Sequence, residues 1–579
     1  MKKIISSVLA FVMIAGIFAL IPLPAVAADT TQSTTEVGKV EAGYTPTGTA
    51  ITTAAEFAAM KANGKYYLNA DITIDASYAS TFTGTFDGNG HTVNISVPLF
   101  LSLGTCTIKN LTINGSVNED AEAACAGAIV STVKCNNKYI IVENVVNNAA
   151  VTGTSYAGGF IGQVITADDT KNAENTVVFR RCVNSGAVSG KDYVGGLLGY
   201  MTSFSLEISD CENTAAVTAT KGTTDAYAGG IVGYFGDGTK YSTAKSVNII
   251  RCKNKGKVTS DLRAGGIVGF VGGLQAYVLE CLNEGAISGK EYVGGMVSEA
   301  GKSGYLCKLS IAYCINTGDV TLTNGKSSTW NAGGMAGYVF GSGKDGVAKI
   351  DRCINLGKIT STWFGSQFLG YTNNVNTVLS DSIAAGSVET TDAKHAVVFG
   401  LGGAKYSYSY NISNLHYLEN DGTEYYAYTA TAANSASVIK LTDYIANSKG
   451  TYKKNITIFT ADDLASGKIG AMFNKFAGKD LLYQNADEKV PTTDSTHDKL
   501  VDTTPAKAVV KISTADEFAK MEADGNYILD ADITISKTYG TFNGTFDGNG
   551  HTIKTTVPLF TKLRGATVKN LVIDGEIKS

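Results

Sequence analysis

From about Val142 to Gly402, apolar and polar positions alternate with a period of two, and the alternation recurs as one phrase. It opens as Cys182-Val-Asn184-Ser-Gly186-Ala-Val188 and closes as Val194-Gly-Gly-Leu-Leu-Gly199-Tyr200. The opening returns at Cys211/Asn213, Cys252/Asn254, Cys281/Asn283, Cys314/Asn316 and Cys353/Asn355; the closing half returns at 228–233, 264–269, 293–297 and 332–337. Cysteine spacings of 29, 41, 29, 33 and 39 give a unit of about 29 residues plus insertions. Cys, Asn, Gly and Val/Ile stand at i, i+2, i+4 and i+6, the spacing of residues on one face of a strand. Lys253, Lys255 and Lys257 fall on the other face, whereas Ile315 and Leu356 break the alternation and predict a partly covered outer wall. Units this rich in Gly, Val, Thr and Asn make poor helices. The expected fold is all-β, a parallel β-helix in which each coil buries its apolar face on its neighbours. Stacked Asn184, Asn213, Asn254, Asn283, Asn316 and Asn355 are then expected to form an amide ladder, and the paired glycines to permit a bend that a Cβ would obstruct.

Ten cysteines in the chain would ordinarily suggest disulfides. Stacked cysteines, however, have parallel Cβ vectors about 4.8 Å apart, wider than the roughly 3.5–4.5 Å of a relaxed bridge. Cys182, Cys211, Cys252, Cys281, Cys314 and Cys353 are therefore read as buried thiols. Cys125 and Cys135, ten residues apart outside that ladder, are the pair best placed to bond, and the sequence leaves their disulfide state open. Zinc is not expected, because there is no CxxC and the five histidines are scattered.

Residues 1–27 read as a secretory signal: Lys2 and Lys3, an apolar run from Ile4 to Ile21, then Ala25-Val-Ala27. No later stretch is apolar enough to span a bilayer, so the expected location is secreted or cell-surface. Residues 28–49 read as a flexible Thr-rich lead-in and 50–418 as the β-helix. Residues 419–486 read as a C-terminal cap, including a helix Leu464–Phe476 behind a capping box at Thr460–Asp463. Residues 487–508 read as a linker. Near the start, Thr53 and Glu56 form a capping box with Gly64 placed to end the helix. Residues 509–579 copy 50–115 at an offset of 460–461, with Thr514/Glu517 and Gly544-Thr-Phe-Asp-Gly-Asn-Gly-His551 repeating Thr53/Glu56 and Gly84–His91. That second copy reads as a β-helix begun and cut short, so the chain is expected to be a fragment of a longer protein.

Charged residues are 17% of the chain, and the formal charge of −4 offers no basic block for nucleic acid. The Gly-Gly-Ile-Val-Gly phrase resembles the GLUG motif of large exported bacterial proteins, among them adhesin-like surface proteins and proteins that flank the protease domain of some IgA-cleaving metallopeptidases. Phe86-Asp-Gly-Asn-Gly-His91-Thr-Val is similar to the opening coils of pectin-lyase-like right-handed β-helices. Thr460-Ala-Asp-Asp-Leu-Ala-Ser-Gly467 looks like a segment that follows GLUG arrays, although Tyr483 stands where a Trp is usual. The resemblance implies a right-handed solenoid and an exported location.

The chemistry that could be expected is thin. Asp87 with His91, and their copies Asp547 with His551, are the weak catalytic candidates for polysaccharide cleavage; the alternative is a tight Asp-Gly-Asn-Gly turn followed by a corner residue. Asp168-Asp169 and Asp462-Asp463 are adjacent and would face opposite ways on a strand. No His-Glu-x-x-His supports a peptidase. Binding candidates are Tyr200, Tyr234, Phe270, Tyr338 and Tyr371, which follow the closing glycine and are expected to stack as an aromatic row, exposed or packed under insertions. Trp330 and Trp363 come next. Arg181, Arg251 and Arg352 precede ladder cysteines as a repeat position. The expected function is an adhesin-like or stalk role presenting a surface to glycans or host or cell-wall proteins, without cofactor or metal; the alternative is a polysaccharide lyase or hydrolase.

Overall fold

A computed structural model describes residues 36–391 with short breaks, six strands between 396 and 459, and residues 509–575 with short breaks. The signal and linker segments, the Leu464–Phe476 helix with its capping box, Asp168-Asp169 and Cys135 lie outside the described residues. Contacts divide the chain into two compact units, Met1–Phe476 and Ala477–Ser579.

The first unit is a parallel β-helix. A single coil shows the plan. Leu282–Asn283, Ile287–Gly289, Tyr292–Gly294, Val297–Ala300 and Lys308–Ala312 follow one another around the turn. Each pairs in parallel with its counterpart one coil before and one coil after. One wall is a sheet of ten strands running in order from Tyr78–Phe82 to Leu369–Asn373. At about 4.8 Å per coil its nine intervals span roughly 43 Å. Parallel pairing continues past the expected boundary at 418, because Leu415–Leu418 pairs with Ile456–Phe459. An antiparallel hairpin, Tyr426–Ala430 with Ala436–Lys440, stands between them.

The coils share one apolar core, from Ile51 to Val388. The alternation holds inward: Cys182, Asn184 and Val188 are buried while Lys255 and Lys257 are exposed. It fails outward where Ile315 and Leu356 predicted, at 8% and 7% exposure, and also at Tyr277 with 2%. The asparagine ladder is continuous. Each Nδ2 donates to the next coil's Oδ1 at 2.7–2.9 Å, from Asn147 through Asn184, Asn213, Asn254, Asn283 and Asn316 to Asn355. The second N–H of each goes to its own coil's carbonyl two residues on, as from Asn184 to Gly186 at 2.9 Å. Asn147, which no cysteine announces, is its first rung. At the far end the next coil offers Ala384 instead of Asn. There Gln367, standing where other coils have the second glycine, accepts from Asn355 Nδ2 and donates to Gly386 O.

The paired glycines open the expected bend, which falls at Gly196–Leu197. Neither Gly195 nor Gly196 has a positive φ. A Cβ on Gly195 would lie 2.1 Å from Leu198 O, and one on Gly196 would lie 2.0 Å from Gly230 O and 2.8 Å from Asn213 Cγ. Backbone beyond the bend in the same coil, the backbone of the next coil and the amide ladder leave no room for it. Left-handed backbone recurs instead at the residue before each ladder cysteine: Arg181, Asp210, Arg251, Glu280, Tyr313 and Arg352 have φ of 50–55°. Such residues pay a backbone cost that Gly or Asn would avoid, so their side chains must be wanted there.

The open end is closed by a helix of five residues, Ala54–Ala58, with the expected Thr53/Glu56 capping box. Gly64 does not end this helix; it falls in the following turn, whose amide donates to Lys61 O at 3.0 Å. Phe57 plugs the core against Phe86 and Phe100, at ring separations of 5.5 and 5.8 Å. The second unit repeats the device with Phe518 against Phe546 and Phe560, again at 5.5 and 5.8 Å. Residues 36–48, expected to be a flexible lead-in, form a strap. Gly38 N donates to Asn144 Oδ1 and Asn144 Nδ2 donates to Lys39 O, at 3.0 and 2.8 Å. The left-handed corners at Asn110 and Asn144 leave amides that this strap satisfies.

Candidate functional site

Asp87 is 1% exposed and fully engaged. It accepts from the Tyr44 hydroxyl, from Asn89 N at 2.8 Å and from Asn110 Nδ2 at 3.0 Å, and Lys109 Nζ lies at 3.4 Å. His91 turns to a different partner, its Nδ1 3.1 Å from Asp71 Oδ1. That carboxylate also takes the Thr92 amide, the main cause holding Asp71 below its ordinary range. The second unit repeats the pattern, with Asn549 N and Asn570 Nδ2 on Asp547 and His551 beside Asp532. Asp87 and His91 thus pin a turn, the strap and the coil edge.

The aromatic row is real and it is double. Tyr200 pairs in register with Tyr234, Tyr234 with Phe270, and Tyr338 with Tyr371. Between Phe270 and Tyr338 the position belongs to Glu299, because that coil reads Val297-Ser-Glu. A second column stands two residues before the Gly-Gly of successive coils: Tyr156, Tyr193, Tyr227, Arg263 and Tyr292, after which Asn331 takes the position. This spacing was legible in the sequence and the expected row omitted it. Rings of the two columns interleave, Tyr156 on Tyr200 at 4.7 Å, Tyr193 on Tyr234 at 4.4 Å and Tyr292 on Tyr338 at 4.6 Å. Tyr227 and Phe270 are buried, while Tyr156, Tyr193, Tyr200, Tyr234, Tyr292, Tyr338 and Tyr371 are half-buried. Burial pushes the Tyr200 and Tyr338 phenols up to about 12, so they remain donors at neutral pH. Because the rings stack face to face along the axis, their faces are spent on one another. Edges and hydroxyls are what the columns can offer a ligand.

Arg263 and Glu299 replace rings in adjoining coils. The guanidinium lies between Tyr227 and Tyr292, 4.8 and 5.4 Å from their centroids, an arrangement stabilised by attraction to the ring faces. It also meets Asp225 and Glu291 at 2.8 Å and Glu299 at 3.3 Å, and Tyr227 donates to Glu299 at 2.7 Å. Three carboxylates around one guanidinium leave this part of the face net negative. Trp330 and Trp363, both half-buried, stand just before the paired strands Asn331–Gly333 and Phe364–Ser366, outside the two columns.

The left-handed corners form a third line of chemistry. Arg251 grips Asp210 with two hydrogen bonds, at 2.6 and 2.8 Å. Arg352 turns to the Tyr313 hydroxyl and lies over that ring at 5.2 Å. Glu280, between these pairs, has both carboxylate oxygens buried without a hydrogen-bond partner among the described residues. Burial pushes its carboxyl up to about 7, with Arg251 opposing and Asp210 reinforcing the shift. A folded-state value above the ordinary 4.5 means that the group's contribution is intact below about 4.5 and is lost as pH rises through about 7. Glu280→Gln should therefore unfold at higher urea than the parent at pH 8, by at most about 3 kcal/mol. The gap should close at pH 4, below the unfolded value; an equal gap at both would refute the assignment.

Among the described residues no group of three or more His, Cys, Asp or Glu could hold a metal ion, and no helix is long and apolar enough to cross a membrane. Cys125 is a free thiol that donates to Gln163 Oε1 at 3.3 Å; Cys135 lies outside the described residues. No family model matches this chain, and no curated protein matches it. Among solved structures it is similar to a "putative immunoglobulin A1 protease" from Bacteroides ovatus, at 19% identity and a TM-score of 0.30 over 44% of this chain and 86% of that one.

Proposed function

We propose that this chain is an exported, cell-surface β-helix of adhesin-like or stalk type, whose double tyrosine column contacts glycan or protein ligands without catalysis. The observation that carries this reading is the column itself. Its aromatic residues recur coil after coil with rings 4.4–5.6 Å apart, half-buried at an outer corner where a core needs none. Phenol hydroxyls repeating at the coil spacing suit a polymer whose acceptors repeat on a similar scale, such as a polysaccharide. The leader-like residues 1–27 support export. The full engagement of Asp87 and the turning of His91 away from it to Asp71 support binding over cleavage.

The test incubates the purified chain with immobilised host and plant polysaccharides and scores both retention and release of shorter products. Retention without release is expected, with Tyr193→Ala/Tyr234→Ala weakening it at least tenfold. Release of shorter products from any member of the panel would overturn the reading, and Asp87→Ala would then ask whether that carboxylate takes part.

A further inference from the structure

The six ladder cysteines are free and 0–1% exposed, and their side chains are near copies of one another. Every Sγ lies 3.2–3.4 Å from the carbonyl two residues earlier: Arg180, Ser209, Ile250, Leu279, Ala312 and Asp351. Five of them also face a carbonyl of the preceding coil at 3.3–3.7 Å. Side chains in one rotamer on coils related by translation repeat at the coil spacing, so successive sulfurs stand about 4.8 Å apart. That is far too long for a disulfide, whose sulfurs lie about 2.05 Å apart. It suits a different bridge. An ion midway between two such sulfurs makes two bonds of about 2.4 Å in a straight line, close to the roughly 2.3 Å of zinc–thiolate bonds. Linear coordination by two soft ligands is the habit of monovalent d10 ions, and thiolates select such ions over hard ones.

We infer that the cysteine ladder is a binding track for a soft two-coordinate monovalent cation, silver(I) or copper(I), held linearly between the sulfurs of successive coils. Each Sγ donates to the carbonyl two residues earlier, so the ladder is read as thiols before the ion enters. Each ion bonds to two sulfurs and releases one proton: one thiol becomes thiolate, the other donates a lone pair, and no electron is transferred. The bridge carries no net charge, as an apolar core requires. Entry depends on the coils breathing, so uptake is slow.

Serine is tolerated in this line. Ser382 occupies the next rung, accepting from Cys353 N at 3.1 Å and donating to Ser380 O at 2.7 Å. Cys→Ser variants should therefore fold, which circular dichroism would check. In a chain carrying Cys106, Cys125, Cys135 and Cys307→Ser, silver(I) with excess methionine as competitor should leave at least three ions per chain after gel filtration, with about one proton released per ion. Adding Cys211, Cys281 and Cys353→Ser leaves three thiols about 9.6 Å apart, two coil spacings, and retention should vanish. Failure of the first variant to retain silver, or equal retention by both folded variants, would overturn the proposal.

Discussion

Asn254→Ala should cost the first unit about 4 kcal/mol, read as a lowered urea midpoint by circular dichroism. Asn254 is fully buried. It accepts from Asn213 Nδ2 at 2.9 Å and donates to Asn283 Oδ1 at 2.8 Å and Gly256 O at 2.9 Å. Truncation strands a donor on one coil and an acceptor on the next, besides the Gly256 carbonyl, at roughly 1–3 kcal/mol for each buried group left unpaired. Asn147→Ala at the ladder's end strands Asn184 Oδ1 together with the amide and the carbonyl of Ala149, also three groups, and should cost about as much. A loss below about 1 kcal/mol at Asn254 would refute the ladder's part in stability.

Gly230→Ala should be more damaging still, leaving no cooperative unfolding transition and little soluble protein. The new methyl would lie 2.1 Å from Gly266 O and 2.4 Å from Asn254 Cγ. Overpacking usually costs about 1–3 kcal/mol because side chains can move aside. Here the obstacles are the backbone of the next coil and a ladder amide held at both ends, so relief requires separating two coils. Gly540, which has no atom within 4 Å of its would-be Cβ, is the control, and Gly540→Ala should shift stability by less than about 0.5 kcal/mol. A soluble Gly230→Ala protein with parental stability would refute the packing account.

Much of this architecture was written in periods. The i, i+2, i+4, i+6 order of Cys182, Asn184, Gly186 and Val188 announced the inward face, and the repetition of Thr53/Glu56 at Thr514/Glu517 announced the second unit. Ile315 and Leu356 announced the covered wall. Less legible was whatever depends on one coil lying against another. Asn147 follows Val145 in place of a cysteine, so the motif hid the ladder's first rung. Gln367 reads as a lapse in the Gly-Gly pattern, yet it supplies the amide that Ala384 lacks. The left-handed corners went unseen because Arg181, Asp210, Glu280 and Tyr313 are residue types that signal nothing about positive φ. In the candidate site, Tyr200, Tyr234, Phe270, Tyr338 and Tyr371 were found by position. Tyr156, Tyr193, Tyr227 and Tyr292 obey an equally simple rule, two residues before Gly-Gly. Glu299 was passed over because its coil has Ser298 where the others close with glycine.

The amide ladder, the stacked rings and the strand pairing all run in one direction, along the solenoid. A pull applied along that direction therefore loads the coil interfaces in series, each bearing the whole force. A sideways pull at a single coil is shared by several strands at once. Under tension the rod should yield one coil at a time, each step releasing a unit of about 29 to 41 residues. That is the behaviour of a tether that lengthens under load before it breaks.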